Sequence, residues 1–296
     1  MYLNPYENLS GGRWIKVNLH THAGTGDFTC GKWPIDFVLD LYEKLGYGAV
    51  CLSNHDRYID VKNIKRAKPL VIPGVEYSRE PHMLTVGVTE SLHELNHQDA
   101  INETKARGGF TVLCHPNWIH KEYWPLEKML SLSGYAGIEV MNALINRLSG
   151  SGVATDLWDK ILSSGRLVYG FGSDDFHMPF DAGRCFTHVY VYGNGFGEIK
   201  KAVDCGRFTA STGIGLSYLK IDGDTINVKV KFLTKTYVDS FNYKFITENG
   251  ASEVYGKTAS FKIAGEKYVR VEATAENGAK LFTQPVWRTP KGKTHE

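Results

Sequence analysis

WIKVNLHTH, residues 14–22, is an apolar run that closes in two histidines two residues apart. Trp14 to His20 reads as a β-strand. Successive side chains of a strand point to opposite faces, so His20 and His22 turn to one side, where both imidazoles can meet one ion. A lone pair at that spacing is a common accident. Its weight comes from four further segments of the same construction: His55-Asp56 after AVCLS (49–53), Glu76 near the end of LVIPGVEY (70–77), His115-Pro116 after FTVLC (110–114), and Asp174-Asp175-Phe176-His177 at the exit of LVYGFGSDD (167–175). Asp175 and His177 repeat the two-residue spacing. Imidazoles and carboxylates gathered at strand ends are the donor set of a multi-metal hydrolytic site.

Between these runs lie helical patterns. One extends from Pro34 to about Leu45, with Ile35, Val38, Leu39 and Tyr42 on one face and Gly46 as its stop. Others cover 98–107, 154–163 and 196–205. HMLTVGV (82–88), GIEVMN (137–142) and THVYVY (187–192) add strands. Strand–helix alternation with continuous apolar strands predicts a parallel α/β architecture. About seven such strands predict a barrel with its site at the carboxyl ends of the strands. From about Ile214 the period changes to two, in TINVKVKF (225–232), FNYKFITENG (241–250), SFKIAG (260–265) and YVRVEATAENG (268–278). That predicts a small all-β, sandwich-like module. The expected division is 1–213 for the barrel, 214–290 for the module and 291–296 for a polar tail.

The chain's 296 residues accommodate one large domain or a large and a small one. A net charge of +2 gives no electrostatic reason to expect a nucleic-acid polymer or a membrane surface as partner. No basic segment followed by an apolar core opens the chain, so a cytoplasmic location is the expectation. The five cysteines form no C-x-x-C pair, which argues against a disulfide framework or a Cys-rich zinc site. Cys51 and Cys114 fall inside apolar strands and read as small buried hydrophobes. Nothing selects an oligomeric state.

LHTHAGTGD (19–27), LSNHD (52–56), GVEYS (74–78), VLCHP (112–116), IEVMN (138–142) and GSDDFH (172–177) together resemble, in order and rough spacing, the motifs of the PHP family, named for polymerase and histidinol phosphatase. The likeness covers roughly residues 13–213 and is nearest to the PHP-like metal-dependent phosphoesterases. GRFTASTG (206–213), VRVEATAENG (269–278) and FTQPVW (282–287) carry a weaker likeness to β modules appended to some members. The resemblance implies a distorted seven-stranded β/α barrel with two or three divalent ions (Zn, Mn or Fe) at its mouth. It implies that His20, His22, Glu76 and Asp175 bind a first ion, that Glu76 bridges to a second shared with His115, and that Asp27, His55 and His177 hold a third.

The fifth motif departs from the pattern. Many members place a His or Cys there, where this chain has Glu139-Val140-Met141-Asn142. Asn142 is a feeble ligand and Met141 a poor one for such ions. The second ion is then weak, water-completed or absent, and Glu139 is either a ligand or a buried group behind one. Asp56 and Asp174 read as carboxylates that orient ligand imidazoles, or as turn-stabilising groups. His82, Asn117, Arg147 and Arg184 read as substrate contacts, with the arginines suited to a phosphate. Glu76, Asp175 and His177 carry the catalytic expectation. His177, His82 or a metal-bound water is the acid for the leaving oxygen.

Divalent ions lower the pKa of bound water and offset charge in phosphoryl displacement. The expected activity is therefore metal-dependent hydrolysis of a small phosphorylated metabolite, nucleotide or sugar. The alternatives are a non-catalytic metal-bound scaffold and a metal-dependent hydrolase of a C–N or C–O bond.

Overall fold

The apolar runs become strands, and those that precede the candidate ligands all point the same way. The computed structural model describes every residue except 27–28, 120–121, 236–238 and 290–296. The expected polar tail, 291–296, thus lies outside the described residues. In chain order the first part comprises β1 (Tyr2–Leu3), β2 (Arg13–Asn18), α1 (Ile35–Lys44), β3 (Tyr47–Leu52), β4 (Leu70–Tyr77), β5 (Met83–Val86), α2 (His97–Ala106), β6 (Phe110–Leu113), α3 (Leu126–Ser131), β7 (Gly137–Asn142), α4 (Thr155–Ser163), β8 (Tyr169–Ser173), β9 (Phe186–Val191), α5 (Phe196–Asp204) and β10 (Phe208–Ser211).

The ladders run in the order β10-β9-β2-β3-β4-β5-β6-β7-β8. Strands β2, β3 and β4 pair in parallel, as do β6, β7 and β8. The strand β5 is antiparallel to both β4 and β6, and β9 is antiparallel to β2 and β10. The region is therefore mixed α/β with parallel strands, not an all-parallel ring. The glycine-bearing β8 meets β9 through a side chain: Gly172 N donates to Thr187 Oγ1, and Thr187 Oγ1 donates to Gly172 O. A Cβ on Gly172 would stand 2.8 Å from Cys185 Sγ and 3.0 Å from Ala210 Cβ, so only glycine lets these strands approach. Val17, Ala49, Cys51, Ile72, Val112 and Phe171 share the inner core, which explains why both faces of these strands are apolar.

The second part is all β: β11 (Ile214–Asp222), β12 (Thr225–Phe232), β13 (Phe241–Thr247), β14 (Gly250–Gly256), β15 (Ala259–Lys262), β16 (Tyr268–Thr274), β17 (Lys280–Thr283) and β18 (Val286–Arg288). The strands β11, β12 and β15 form a three-stranded sheet. Its Leu216, Leu219, Val228 and Val230 pack against Tyr243, Phe245, Val271 and Ala273 of β13 and β16. Two antiparallel layers with period-two side chains bury one face each.

The two parts are continuous. Strand β17 pairs with β10, and β1 pairs with β18. The Gln284 amide donates to Gly170 O and accepts from Gly170 N. Arg270 is only 1% exposed, yet it forms a fork–fork pair with Asp159 of α4 at 2.6 and 2.7 Å and lies 4.8 Å from the Trp158 ring. Arg270 Nη1 also donates to Glu272 Oε1 at 2.6 Å, so losing Asp159 leaves the guanidinium with one carboxylate of two. Asp159→Ala should therefore lower unfolding stability by about 2 kcal/mol, read as a lower midpoint in urea. A midpoint equal to that of the parent would show that the pair does not fasten the two parts.

Candidate metal centre

Six strands release their chain at one end of the sheet, and each delivers a polar side chain there. His20 and His22 follow β2, His55 follows β3, and Glu76 is the penultimate residue of β4. His115 follows β6, Asn142 ends β7 and Asp175 follows β8. Three exits carry a non-glycine residue in the left-handed region: His115 at φ 30°, Asp56 at φ 46° and Asp175 at φ 53°. Such conformations cost about 1 kcal/mol or more and persist only where the surroundings fix them. Backbone bonds do so here. Glu76 N donates to Ser53 O and Asn54 O, Asp56 N to Glu76 O, His22 N to Phe176 O, and Phe176 N to His20 O.

Five imidazoles surround the buried carboxylate of Glu76. Its Oε2 lies 3.2 Å from His20 Nε2, 3.3 Å from His22 Nε2 and 2.8 Å from His55 Nδ1. Its Oε1 lies 3.0 Å from His82 Nδ1 and 3.2 Å from His115 Nε2. Asp175 Oδ1 stands 3.3 Å from Nε2 of both His20 and His22, and 3.4 Å from His177 Nδ1. Among the described residues, His20 Nε2, both ring nitrogens of His22, Glu76 Oε2, His115 Nδ1 and Asp175 Oδ1 are buried without a hydrogen-bond partner. Leaving such atoms unpaired costs about 1–3 kcal/mol each. Glu76 Oε1 does bond His82 Nδ1 and His115 Nε2, but the orphaned atoms converge without bonding one another, as a divalent cation requires, and the donor set fits one. Four overlapping groups each bring their donor atoms within 4.8 Å: His20, His22 and Asp175; His20, Glu76, Cys114 and His115; His55, Glu76 and His82; and His22, Cys30, His55 and His177.

Charges in the cluster hold one another. Burial pushes the Glu76 carboxyl up, but the imidazoles of His20, His115 and His55 outweigh it and hold it well below the usual carboxylate range. Asp175 is driven the same way by His20, His22 and His177 against its burial. Burial opposes the charged form of His20, yet Asp175, Glu76 and Glu139 raise it well above the ordinary histidine value. Against burial, Cys30 and Glu76 lift His55 to about 10, and Cys30 and Asp175 lift His177 to about 9. Protons thus occupy positive sites that a cation takes over on binding.

Glu139 is the carboxylate that braces this arrangement. Its Oε1 lies 2.9 Å from His20 Nδ1 and accepts from Ser173 Oγ. Its Oε2 accepts from His115 N and from Asn142 Nδ2, both at 2.8 Å. Holding Nδ1 of His20 turns its Nε2 toward Glu76 and Asp175. Asn142 also donates to Asp175 Oδ2 at 3.0 Å, so its amide nitrogen ties two carboxylates together rather than ligating. Of the two readings of Asp56 and Asp174, orienting imidazoles or stabilising turns, their bonds fit the second. Asp56 Oδ1 accepts from Ser78 N. Asp174 accepts from Gly183 N, Arg184 N and Cys185 N and from the hydroxyls of Tyr42 and Tyr47.

The expected substrate contacts divide. His82 touches the cluster. The Asn117 side chain is not offered to it: Nδ2 donates to Val153 O and Asp156 Oδ1, and Oδ1 accepts from Glu122 N. Arg147 is committed as well, with Nε and Nη2 on the two oxygens of Asp181 at 2.9 Å. Asp181 Oδ2 in turn accepts from His177 N and Met178 N, so that arginine steadies the His177 loop. Arg184 is exposed and donates from Nε to Phe180 O. Asp27 lies outside the described residues. Two cysteines were missed as donors. Cys114 precedes His115 and faces His20 and Glu76; Cys30 joins His22, His55 and His177. The signal for Cys30 was its place in the glycine-bearing loop that begins at His22.

No family model matches the chain, and no curated protein matches it. Solved structures do. A two-domain protein containing a predicted PHP-like metal-dependent phosphoesterase, from Bacteroides vulgatus, matches with a TM-score of 0.56 at 17% identity, covering 97% of this chain and 90% of that one. PsfC from Pseudomonas syringae matches at TM-score 0.44 and 15% identity, over 64% of this chain and 87% of its own. Endonuclease Q, in complex with a 27-mer duplex carrying an abasic lesion at the active site, matches at 0.45 and 13%, over 65% and 57%. The fold is PHP-like and two-part, and the buried His/Glu cluster indicates divalent metal binding. The endonuclease complex corrects one expectation. That protein is shown with a nucleic-acid duplex, and the exclusion of a nucleic-acid polymer on a net charge of +2 is withdrawn. Whole-chain charge does not describe the field at a site. No helix among the described residues is long and apolar enough to cross a membrane.

Glu139→Gln should weaken metal binding roughly 10–100-fold, because it alters the bond that orients His20. Competition against a chromophoric chelator measures this, and an unchanged affinity would remove Glu139 from that role.

Proposed function

We propose that this chain, PHP-like in fold, is a metal-dependent phosphoesterase that hydrolyses a small phosphorylated metabolite, nucleotide or sugar. The observation that supports this most is the ring of five imidazoles around Glu76, with Asp175 completing the donor set. In this reading His20, His22, Glu76 and Asp175 would hold one ion, Glu76 and His115 a second, and His55 and His177 a third. Zinc, manganese and iron all suit imidazole and carboxylate donors. Bound divalent cations supply Lewis acidity for activating water and for offsetting phosphoryl charge.

The chain's own groups do the rest. Glu76 and Asp175 keep fixed negative charge where cations and substrate must meet, and Glu139 keeps His20 turned toward them. His177 stands at the more open edge, with Nδ1 3.0 Å from Asp175 O, which fixes its ring for the third ion; His82, not used as a ligand in this reading, is the group placed to move a proton at the leaving oxygen. A cavity of about 430 Å³, lined by Met141, Asn146, Phe180, Asp181 and Arg184 and by none of the cluster residues, lies on the side of Asp181 that holds the His177 loop. That volume lies within the roughly 300–1,000 Å³ of small-molecule sites. Arg184 is the candidate phosphate contact there, alongside His82 at the cluster. Residues 1–213 carry this chemistry in our reading, and 214–290 form the supporting module.

Chelated protein should turn over p-nitrophenyl phosphate or its bis ester only after Mn²⁺, Zn²⁺ or Fe²⁺ is returned. His22→Ala should stay at the level of the chelated protein. Equal turnover with and without metal, or full activity in the variant, would contradict the reading.

A further inference from the structure

The group formed by His22, Cys30, His55 and His177 differs in kind from the other three. The rings of His22 and His55 stand 4.6 Å apart, and those of His22 and His177 stand 4.3 Å apart. The Cys30 Sγ lies within 4.8 Å of a nitrogen from each. His22 is fully buried, and both of its ring nitrogens lack a hydrogen-bond partner among the described residues. Cys30 itself is exposed, at the rim, and is a free thiol like the other four cysteines.

Its position is fixed by the backbone behind it. Gly31 packs so tightly on His22 that a Cβ there would lie 2.2 Å from the His22 carbonyl oxygen. Gly24 N donates to Trp33 O at 2.7 Å, which closes the loop over the histidine pair. A loop tied at both ends presses one sulfur onto three imidazoles. A thiol serving only as a small hydrophobe has no need of that company.

We infer that Cys30 is a thiolate ligand and that His22, Cys30, His55 and His177 form a mixed nitrogen–sulfur site selective for zinc-like or ferrous ions over magnesium, calcium and manganese. This rests on the metal-dependent reading above. It differs from what the family resemblance implies, an aspartate with two histidines. Thiolate is a soft donor, and imidazole is borderline. Together they disfavour hard, oxygen-seeking cations and favour Zn²⁺, Fe²⁺ and Co²⁺. Cys30, His55 and His177 complete this site without calling on Glu76 or Asp175, and His22, whose two ring nitrogens are both unpartnered among the described residues, is shared with the first ion.

Cobalt(II) tests this on the full chain, kept reduced with a phosphine. The protein reconstituted with Co²⁺ should show a near-ultraviolet thiolate-to-cobalt charge-transfer band. Cys30→Ser should abolish the band and lower bound cobalt by one equivalent per chain, while Cys205→Ser, at the other exposed thiol, should change neither. In the unsubstituted chain, Zn²⁺ should protect Cys30 from iodoacetamide, as read by peptide mass spectrometry, and Mg²⁺ should not. Cobalt bound without the band, or a band and stoichiometry retained in Cys30→Ser, would overturn the thiolate site and leave the imidazole–carboxylate centre standing. Failure to bind any cobalt would overturn both.

Discussion

One carboxylate organises the mouth of this molecule. Glu76 is almost wholly buried, and five histidines from four different strand ends approach its two oxygens. A carboxylate in that position would be prohibitively unfavourable alone. Surrounded by imidazoles its carboxyl is held well below the usual carboxylate range, while Asp175 and Glu76 raise His20, and Cys30 and Glu76 raise His55. Such a network is a poor device for stability, since a packed apolar core of the same volume does as well or better. Its donor atoms face each other at 3.2–3.3 Å and still leave several orphaned. The rest of the region makes sense as the apparatus that forces these groups together.

That apparatus is directional. Parallel pairing of β2, β3 and β4, and of β6, β7 and β8, sends six chain exits to one end, while β5 and β9 return the chain, β5 with His82 immediately before its start. Bonds between exits, such as Glu76 N to Ser53 O and Phe176 N to His20 O, fix strained residues at the points of delivery. Behind them the all-β part supports the sheet through the β10–β17 ladder, the Gln284 clasp on Gly170 and the Arg270–Asp159 pair. None of these contacts includes a cluster residue, which fits a part that steadies the sheet.

Much of this was legible in the sequence. The apolar runs marked β4 and β7 to the residue, and helix α1 to within a residue at each end, because period and stop signals coincided there. The ligands were legible because strand ends are the one place where a short polar motif must face a shared space. The antiparallel course of β5 and β9 was not, since nothing in HMLTVGV or THVYVY records strand direction. Strand β14 escaped because it is an exposed edge with no apolar alternation. The roles of Glu139, Asn117 and Arg147 depend on partners 24 to 119 residues away, and local pattern does not carry those. For Cys30 the sequence offered only its place in the glycine-bearing loop after His22; the histidines beside it are brought there by the fold.

The central claim is that the strand ends around Glu76 bind divalent cations. Anomalous diffraction from crystals grown with Zn²⁺, recorded on both sides of the zinc edge, tests it most directly. The account predicts zinc-specific peaks within about 2.0–2.2 Å of His20 and His22 nitrogens and of Glu76 and Asp175 oxygens. Zinc bound only elsewhere on the protein, or no peak among these side chains, would contradict it.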